Sequence, residues 1–277
     1  VEEKAILRQL IKASNQMNHD SYEAQESAST ILEKAEKAVF NIAQKKTEKT
    51  YALVKDVLVD TFENLERLAS QTEEVLGIPS GFKELDNKTL GFTPGQLIIV
   101  AARPAMGKSA FAINILSNAA MRAGKSAVYF SLEMSKEELL NRILASEAMV
   151  DSTKIRSGKL DDEDWISLTN ISGTLSESKI ILDDSAGYSP LELRARCRKL
   201  KMEYDIGLIV IDYLQLMDST SKSDNRVVVI SEITRQLKVM AKELNVPVIC
   251  CAQLSRGPES RTDKRPMLSD LRDSGAI

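Results

Sequence analysis

Five short apolar runs, separated by stretches of helical periodicity, constrain this chain more than any other feature. They are "LIIVAA" (97–102), "AVYFSL" (127–132), "KIILDD" (179–184), "GLIVIDYLQL" (207–216) and "VPVICCAQL" (246–254). Each is long enough for one strand, and its apolar residues are continuous rather than alternating. A strand with one wet face alternates; a continuous run is covered on both faces, which happens when crossover helices roof a parallel sheet. The segments "KSAFAINILSNAAMRAG", "SKEELLNRILASEAM", "SPLELRARCRKLKMEY" and "RVVVISEITRQLKVMAKELN" supply those helices. The pattern predicts an α/β domain with a mainly parallel sheet.

Gly-Lys-Ser occurs twice, at Gly107-Lys108-Ser109 and at Gly124-Lys125-Ser126. In both, alanine (Ala102 and Ala119) stands where the G-x-x-x-x-G-K-[ST] phosphate-loop pattern opens with glycine. Context separates them. A phosphate loop needs backbone N–H groups at the start of a helix that follows a strand. "LIIVAARPAMGKSAFAINIL" has that order, and "NAAMRAGKSAVYFSL" reverses it. There Gly124 reads as a helix C-cap and Lys125 as a cation favoured by the helix's negative end.

The loop Arg103, Pro104, Ala105, Met106, Gly107, Lys108, Ser109, Ala110 is therefore the candidate nucleotide site. Lys108 is placed to neutralise β- and γ-phosphates and Ser109 to ligate Mg²⁺ through its hydroxyl. Asp212, ending an apolar strand, is the second candidate for the metal; a simple turn aspartate is the alternative. The lone histidine, His19, falls in what reads as a polar helix connection, so activation of water falls to a carboxylate. Glu133 in "YFSLEMS" lies just past a strand end, where sites in open α/β sheets form. Its alternative is a first-turn glutamate favoured by the helix dipole. Gln253, ending "VICCAQL", reads either as a γ-phosphate sensor or as a strand-end polar residue.

Residues 1–76 lack strand signals. Ile31, Ala35, Ala38/Val39 and Ile42 form one helical stripe, and Val54, Val57/Leu58, Phe62, Leu65 and Leu68/Ala69 another. The second helix packs either on its own domain or on a neighbouring subunit, since the region has too few apolar residues for a core of its own. "GIPSGFKELDNKTLGFTPGQ" then marks a boundary near residue 77. Cys197, Cys250 and Cys251 lack metal-ligand spacing and read as buried thiols of a reducing cytoplasm. No apolar run approaches the roughly 20 residues that cross a bilayer. Forty acidic against 37 basic residues, net −3, argues against a protein that coats DNA by bulk charge.

"GIPSGFKELDNKT", "AARPAMGKSAFAINI", "FSLEMS", "LIVIDYLQLM", "AKELNVPVICCAQLSRG" and "DKRPMLSDLRDSGAI" together resemble the DnaB-type replicative DNA helicases of bacteria, in that family's order. The helical lead-in is similar to the family's linker region, and the family commonly has alanine at the Ala102 position. The resemblance implies a RecA-like P-loop NTPase (77–277) behind an all-helical linker region (1–76), whose helix at about 50–70 docks on the adjacent subunit. It implies a homohexamer around single-stranded DNA, driven by ATP and Mg²⁺, working in the cytoplasm at replication forks with primase and a helicase loader and no membrane. By motif match Glu133 is the catalytic glutamate, Lys108 and Gln253 join it in the catalytic set, and Asp212 and Ser109 hold the metal. Arg272, Asp273 and Gly275 match the loop that grips the DNA backbone. That loop has no aromatic residue to stack on bases, so an arginine and backbone N–H groups would hold phosphates without reading sequence. The resemblance also implies a collar domain ahead of this segment and further strands with an arginine finger after Ile277, so the segment reads as part of a longer protein. Two alternatives stay open: a nucleotide-dependent ring-assembly module with little hydrolysis, and another RecA-fold ATPase such as a recombinase.

Overall fold

The computed structural model describes residues 2–23, 27–44, 53–70, 75–185, 187–217 and 226–274. The chain divides into two compact units, residues 1–72 and 73–277.

The first unit holds α1 (Glu2–Glu23), α2 (Ala28–Gln44) and α3 (Val54–Ser70). α1 and α2 pack together. Gln9, Ala13, Met17 and Asp20 form the half-buried line of α1; Ile31, Ala35, Ala38 and Ile42 form that of α2. Val39 is exposed, so the stripe runs through Ala38 instead. His19 lies inside α1 rather than in a connection, with Nε2 3.3 Å from Glu23 Oε1. Its polar neighbours occupy the wet face of the helix, and a polar face does not end a helix. On α3, Val54, Val57, Leu58, Phe62 and Leu65 are all exposed.

The second unit is a three-layer α/β/α sandwich. Five parallel strands, β1 (Leu97–Ala102), β2 (Ala127–Ser131), β3 (Ile180–Asp183), β4 (Leu208–Asp212) and β5 (Val248–Gln253), lie in the order β1-β5-β4-β2-β3. Period-two alternation divides their side chains between two cores. Val128, Phe130, Ile209, Ile211, Val248 and Cys250 face α9 (Pro190–Tyr204) and α10 (Arg226–Leu244). Ala127, Tyr129, Leu208, Val210, Ile249 and Cys251 face α5 (Lys108–Ser117) and α6 (Lys136–Ala148). Continuous apolar runs are thus read by both layers at once.

Helices α4 (Lys83–Thr89), α7 (Ser152–Ser157) and α8 (Asp162–Glu177) were not legible in the strand–helix rhythm. α4 forms within the segment read as a boundary, where buried Asp86 accepts from the Ser80 and Gly81 N–H groups at 2.8 and 3.1 Å. α7 and α8 fill the stretch between α6 and β3. Asp161 caps α8 with a reciprocal capping box to Asp164. The three cysteines are buried and free, and burial pushes the Cys250 thiol up to about 12. They are packing residues. Among the described residues no helix is long and apolar enough to cross a membrane.

Candidate functional site: a phosphate loop beside a buried carboxylate

The first Gly-Lys-Ser sits where β1 turns into α5. Gly107 takes φ +85° at the N-cap, and the first intrahelical bond runs from the Phe111 N–H to the Gly107 carbonyl at 2.9 Å. The amides of the preceding residues therefore lie at the positive end of a helix, the geometry that receives anions. Ala105 also takes a left-handed φ, +63°, so two left-handed residues bracket Met106 and curl the loop into a concave backbone. The second Gly-Lys-Ser closes a helix. α5 runs on through a π turn (Asn118–Arg122), Gly124 takes φ +63°, and the Lys125 N–H bonds back to the Ala119 carbonyl at 2.9 Å.

Sheet order decides what stands beside the loop. β5 lies between β1 and β4, and β2 flanks β4 on its other side. With strands about 4.8 Å apart, the carboxyl ends present in sequence the loop, Gln253, Asp212, and the turn after Ser131 that carries Glu133. The Leu132 N–H donates to the Asp212 carbonyl at 2.8 Å, which ties that turn to the end of β4. Glu133 itself is exposed.

Lys108 and Asp212 meet directly. Lys108 Nζ lies 3.0 Å from Asp212 Oδ1, with the lysine side chain 14% and the aspartate 2% exposed. The ammonium also lies 4.3 Å from the centre of the Tyr213 ring, a cation–π contact. The other carboxylate oxygen, Oδ2, accepts from the Tyr129 hydroxyl at 2.8 Å. Asp212 Oδ1 is buried and receives no hydrogen bond of good geometry despite the lysine's approach. The contact with Lys108 is therefore chiefly Coulombic, and Oδ1 keeps accepting capacity.

Gln253 is half-buried, and its backbone is held by another glutamine. Gln215 Nε2 donates to the Gln253 carbonyl, and the Gln253 N–H donates to Gln215 Oε1, both at 3.2 Å. This side chain extends the β4–β5 ladder by one step beyond the strands. Arg103 lies in the loop by its backbone, but its guanidinium turns away. It donates through Nη1 to the Leu254 carbonyl at 3.0 Å and through Nε to Glu259 at 2.6 Å. Pro104, Ala105, Met106 and Ala110 are exposed, and Ser109 is half-buried.

After β5 the chain forms α11 (Gly257–Ser260) and a 3-10 segment, Leu268–Ser274, that contains Arg272 and Asp273. Buried Asp270 organises it: its carboxylate accepts from Arg261 and from the Met267 N–H, and its carbonyl accepts from the Ser255 N–H at 3.2 Å. Gly275 lies outside the described residues.

Tyr129, Tyr213 and Gln215 join the site without being singled out by any motif in the sequence. The signal for Tyr129 was present, because a tyrosine within a doubly covered strand must pair its hydroxyl. Nothing in the spacing announced Gln215 or the turn of Arg103.

Residues 77–277 match the model of the DnaB-like helicase C-terminal domain. The chain is 48% identical over 278 residues to the replicative DNA helicase DnaC of Bacillus subtilis and 45% identical over 278 residues to replicative DNA helicase DnaB of Geobacillus stearothermophilus. Each match takes in 100% of this chain and 61% of the relative, so the chain spans about three-fifths of those proteins. Among solved structures, a DnaB-like replicative helicase, described with its interactions with primase, is similar with a TM-score of 0.82 at 34% identity, over 99% of this chain and 63% of that one. A second, described as an ATPase domain, is similar with a TM-score of 0.76 at 38% identity, over 81% of this chain and 79% of that one. The sheet and its helices form the RecA-like fold expected from the sequence. On the family model and these relatives together, the chain belongs to the DnaB-like helicase C-terminal domain family.

Proposed function

We propose that this chain is the motor segment of an ATP-driven replicative DNA helicase that moves on single-stranded DNA as a homohexameric ring. The observation that carries the reading is Lys108 held 3.0 Å from buried Asp212, beyond the carboxyl ends of a parallel sheet, with Glu133 and Gln253 on the flanking strand ends. Loop residues 103–110 would cradle the phosphates through their amides, and Lys108 would exchange Asp212 for the β- and γ-phosphates. Gln253 would sense the γ-phosphate, and Glu133 would orient and deprotonate the attacking water.

Ser109 and Asp212 would hold Mg²⁺. The residues fit the ion: Asp212 Oδ1 is a buried oxygen with unused accepting capacity, and hard cations take oxygen donors and keep several waters. Bound there, the ion would neutralise charge on the phosphate oxygens.

Arg272, Asp273 and Gly275 would grip the DNA backbone. Arg103 offers a physical route between the two sites, because it joins the nucleotide loop to Leu254 and Glu259, just ahead of that segment. The exposed apolar stripe of α3 supports a helix that docks on a neighbouring copy. Primase, a helicase loader and a cytoplasmic setting follow from the same reading.

Steady-state ATP hydrolysis with and without single-stranded DNA, compared with Lys108→Ala, tests it. Turnover that rises with DNA and is abolished in the variant supports the motor. Binding of ATP with turnover at background, whether or not DNA is present, would instead favour an assembly module.

A further inference from the structure

Tyr129 stands in the middle of β2, between β3 and β4, and none of its surface is exposed. The neighbours on its face are apolar residues of α5 and α6, and a phenylalanine would satisfy them equally. The hydroxyl therefore needs its own explanation, since an unpaired O–H in such a place costs its full desolvation.

Strand register supplies it. Ser131 lies opposite Asp212, and Tyr129 opposite Val210, so Tyr129 and Asp212 share a face one diagonal step apart. That step is within reach of an aromatic side chain. The phenol donates to Asp212 Oδ2 at 2.8 Å, while Lys108 approaches the other oxygen from α5. The two oxygens of Asp212 thus differ. Oδ2 is tied to a residue fixed in the sheet, and Oδ1 faces the phosphate loop.

We infer that Tyr129 is a positioning residue that fixes the plane of the Asp212 carboxylate and reserves Oδ1 for the lysine and metal side of the site. This deepens the proposed function and rests on it. Tyr129 itself touches neither nucleotide nor metal. A hydrogen bond to one oxygen restrains rotation of the carboxylate, so its free oxygen is aimed before the ion arrives. Partners of this kind are typically worth 10- to 100-fold in metal affinity.

The test uses Tyr129→Phe and Tyr129→Leu in the whole chain, with a fluorescent ADP titrated in EDTA and across a Mg²⁺ series, and circular dichroism to follow folding. Tyr129→Phe should fold as the wild type and bind ADP equally in EDTA, yet need about tenfold more Mg²⁺ for half-maximal enhancement. Tyr129→Leu should show the same Mg²⁺ defect and also melt earlier. If Tyr129→Phe follows the wild-type Mg²⁺ curve, the tyrosine is only a core residue; the inference fails and the nucleotide reading stands. Equal weakening in EDTA and in Mg²⁺ would likewise assign it to packing. If the wild type itself binds ADP identically in EDTA and Mg²⁺, the metal-site reading falls, and this inference with it.

Discussion

Replacing Lys108 with alanine should destabilise the nucleotide-free protein as well as weaken nucleotide binding. Lys108 and Asp212 lie 3.0 Å apart at 14% and 2% exposure, so the variant strands a buried carboxylate. Breaking a buried pair by removing one partner costs about 3–5 kcal/mol. Two features reduce that here. Tyr129 still donates to Oδ2, and the loop above the lysine is exposed, so water can reach Oδ1. The expected cost of Lys108→Ala is about 2 kcal/mol. Asp212→Asn leaves the ammonium unpaired, but a flexible lysine at 14% exposure can turn toward water, and about 1 kcal/mol is expected. The double variant should then cost less than the sum of the singles by about 1.5 kcal/mol, because either change alone destroys the same interaction. The cation–π contact with Tyr213 is lost in both arms that remove the lysine and cancels in the cycle. Urea unfolding followed by Trp165 fluorescence is the assay, since the chain's single tryptophan lies in α8 and reports the α/β unit rather than the helices before it. The slope against urea must stay constant for the comparison to hold. Costs that add within about 0.5 kcal/mol would refute a coupled Lys108–Asp212 pair.

Gly107→Ala and Gly124→Ala should each cost about 1 kcal/mol, because both positions have left-handed φ and open space for a Cβ. Only Gly107→Ala should also weaken nucleotide binding, which a titration with fluorescent ADP reads. Glu133→Gln should leave ADP affinity within about twofold and lower ATP turnover by about 100-fold, the usual size of a general-base contribution. Asp183 carries a pH signature: burial raises its carboxyl pKa, but the Ser185 N–H and hydroxyl, the Tyr188 hydroxyl and the Arg196 charge outweigh burial and hold it below the ordinary value. Its stabilisation is therefore present above the unfolded-state pKa of about 3.9 and is lost as pH falls through the lower folded value. Below about pH 4, urea midpoints should fall more steeply in the wild type than in Asp183→Asn.

Much of the fold was legible because its signals are local. The five apolar runs became five parallel strands, and strand-before-loop order separated the two Gly-Lys-Ser copies. α8 escaped because its apolar positions are sparse: Trp165 and Ile166 are exposed, and only Leu168 is buried. α4 escaped because glycine and proline around it read as breakers, while the buried Asp86 that organises the turn has its partners in space. Arg103 belongs to the phosphate-loop segment by its position, but its side chain follows a carbonyl and a carboxylate more than 150 residues away in the chain.

The sequence by itself determined the residue types at the strand ends, because backbone periodicity and turn chemistry act over a few neighbours. Lys108, Glu133, Asp212 and Gln253 each announce a strand end or a helix start without reference to one another. Only the tertiary structure decided their order in space, since a parallel sheet can be wound in several ways and the apolar pattern of a strand does not name its neighbours. Placing β5 between β1 and β4, and β2 beyond β4, is what sets Gln253 beside the loop and Tyr129 under Asp212. Pairing between strands is a long-range choice made by packing on both faces of the sheet, and that choice assembles separate residues into one site.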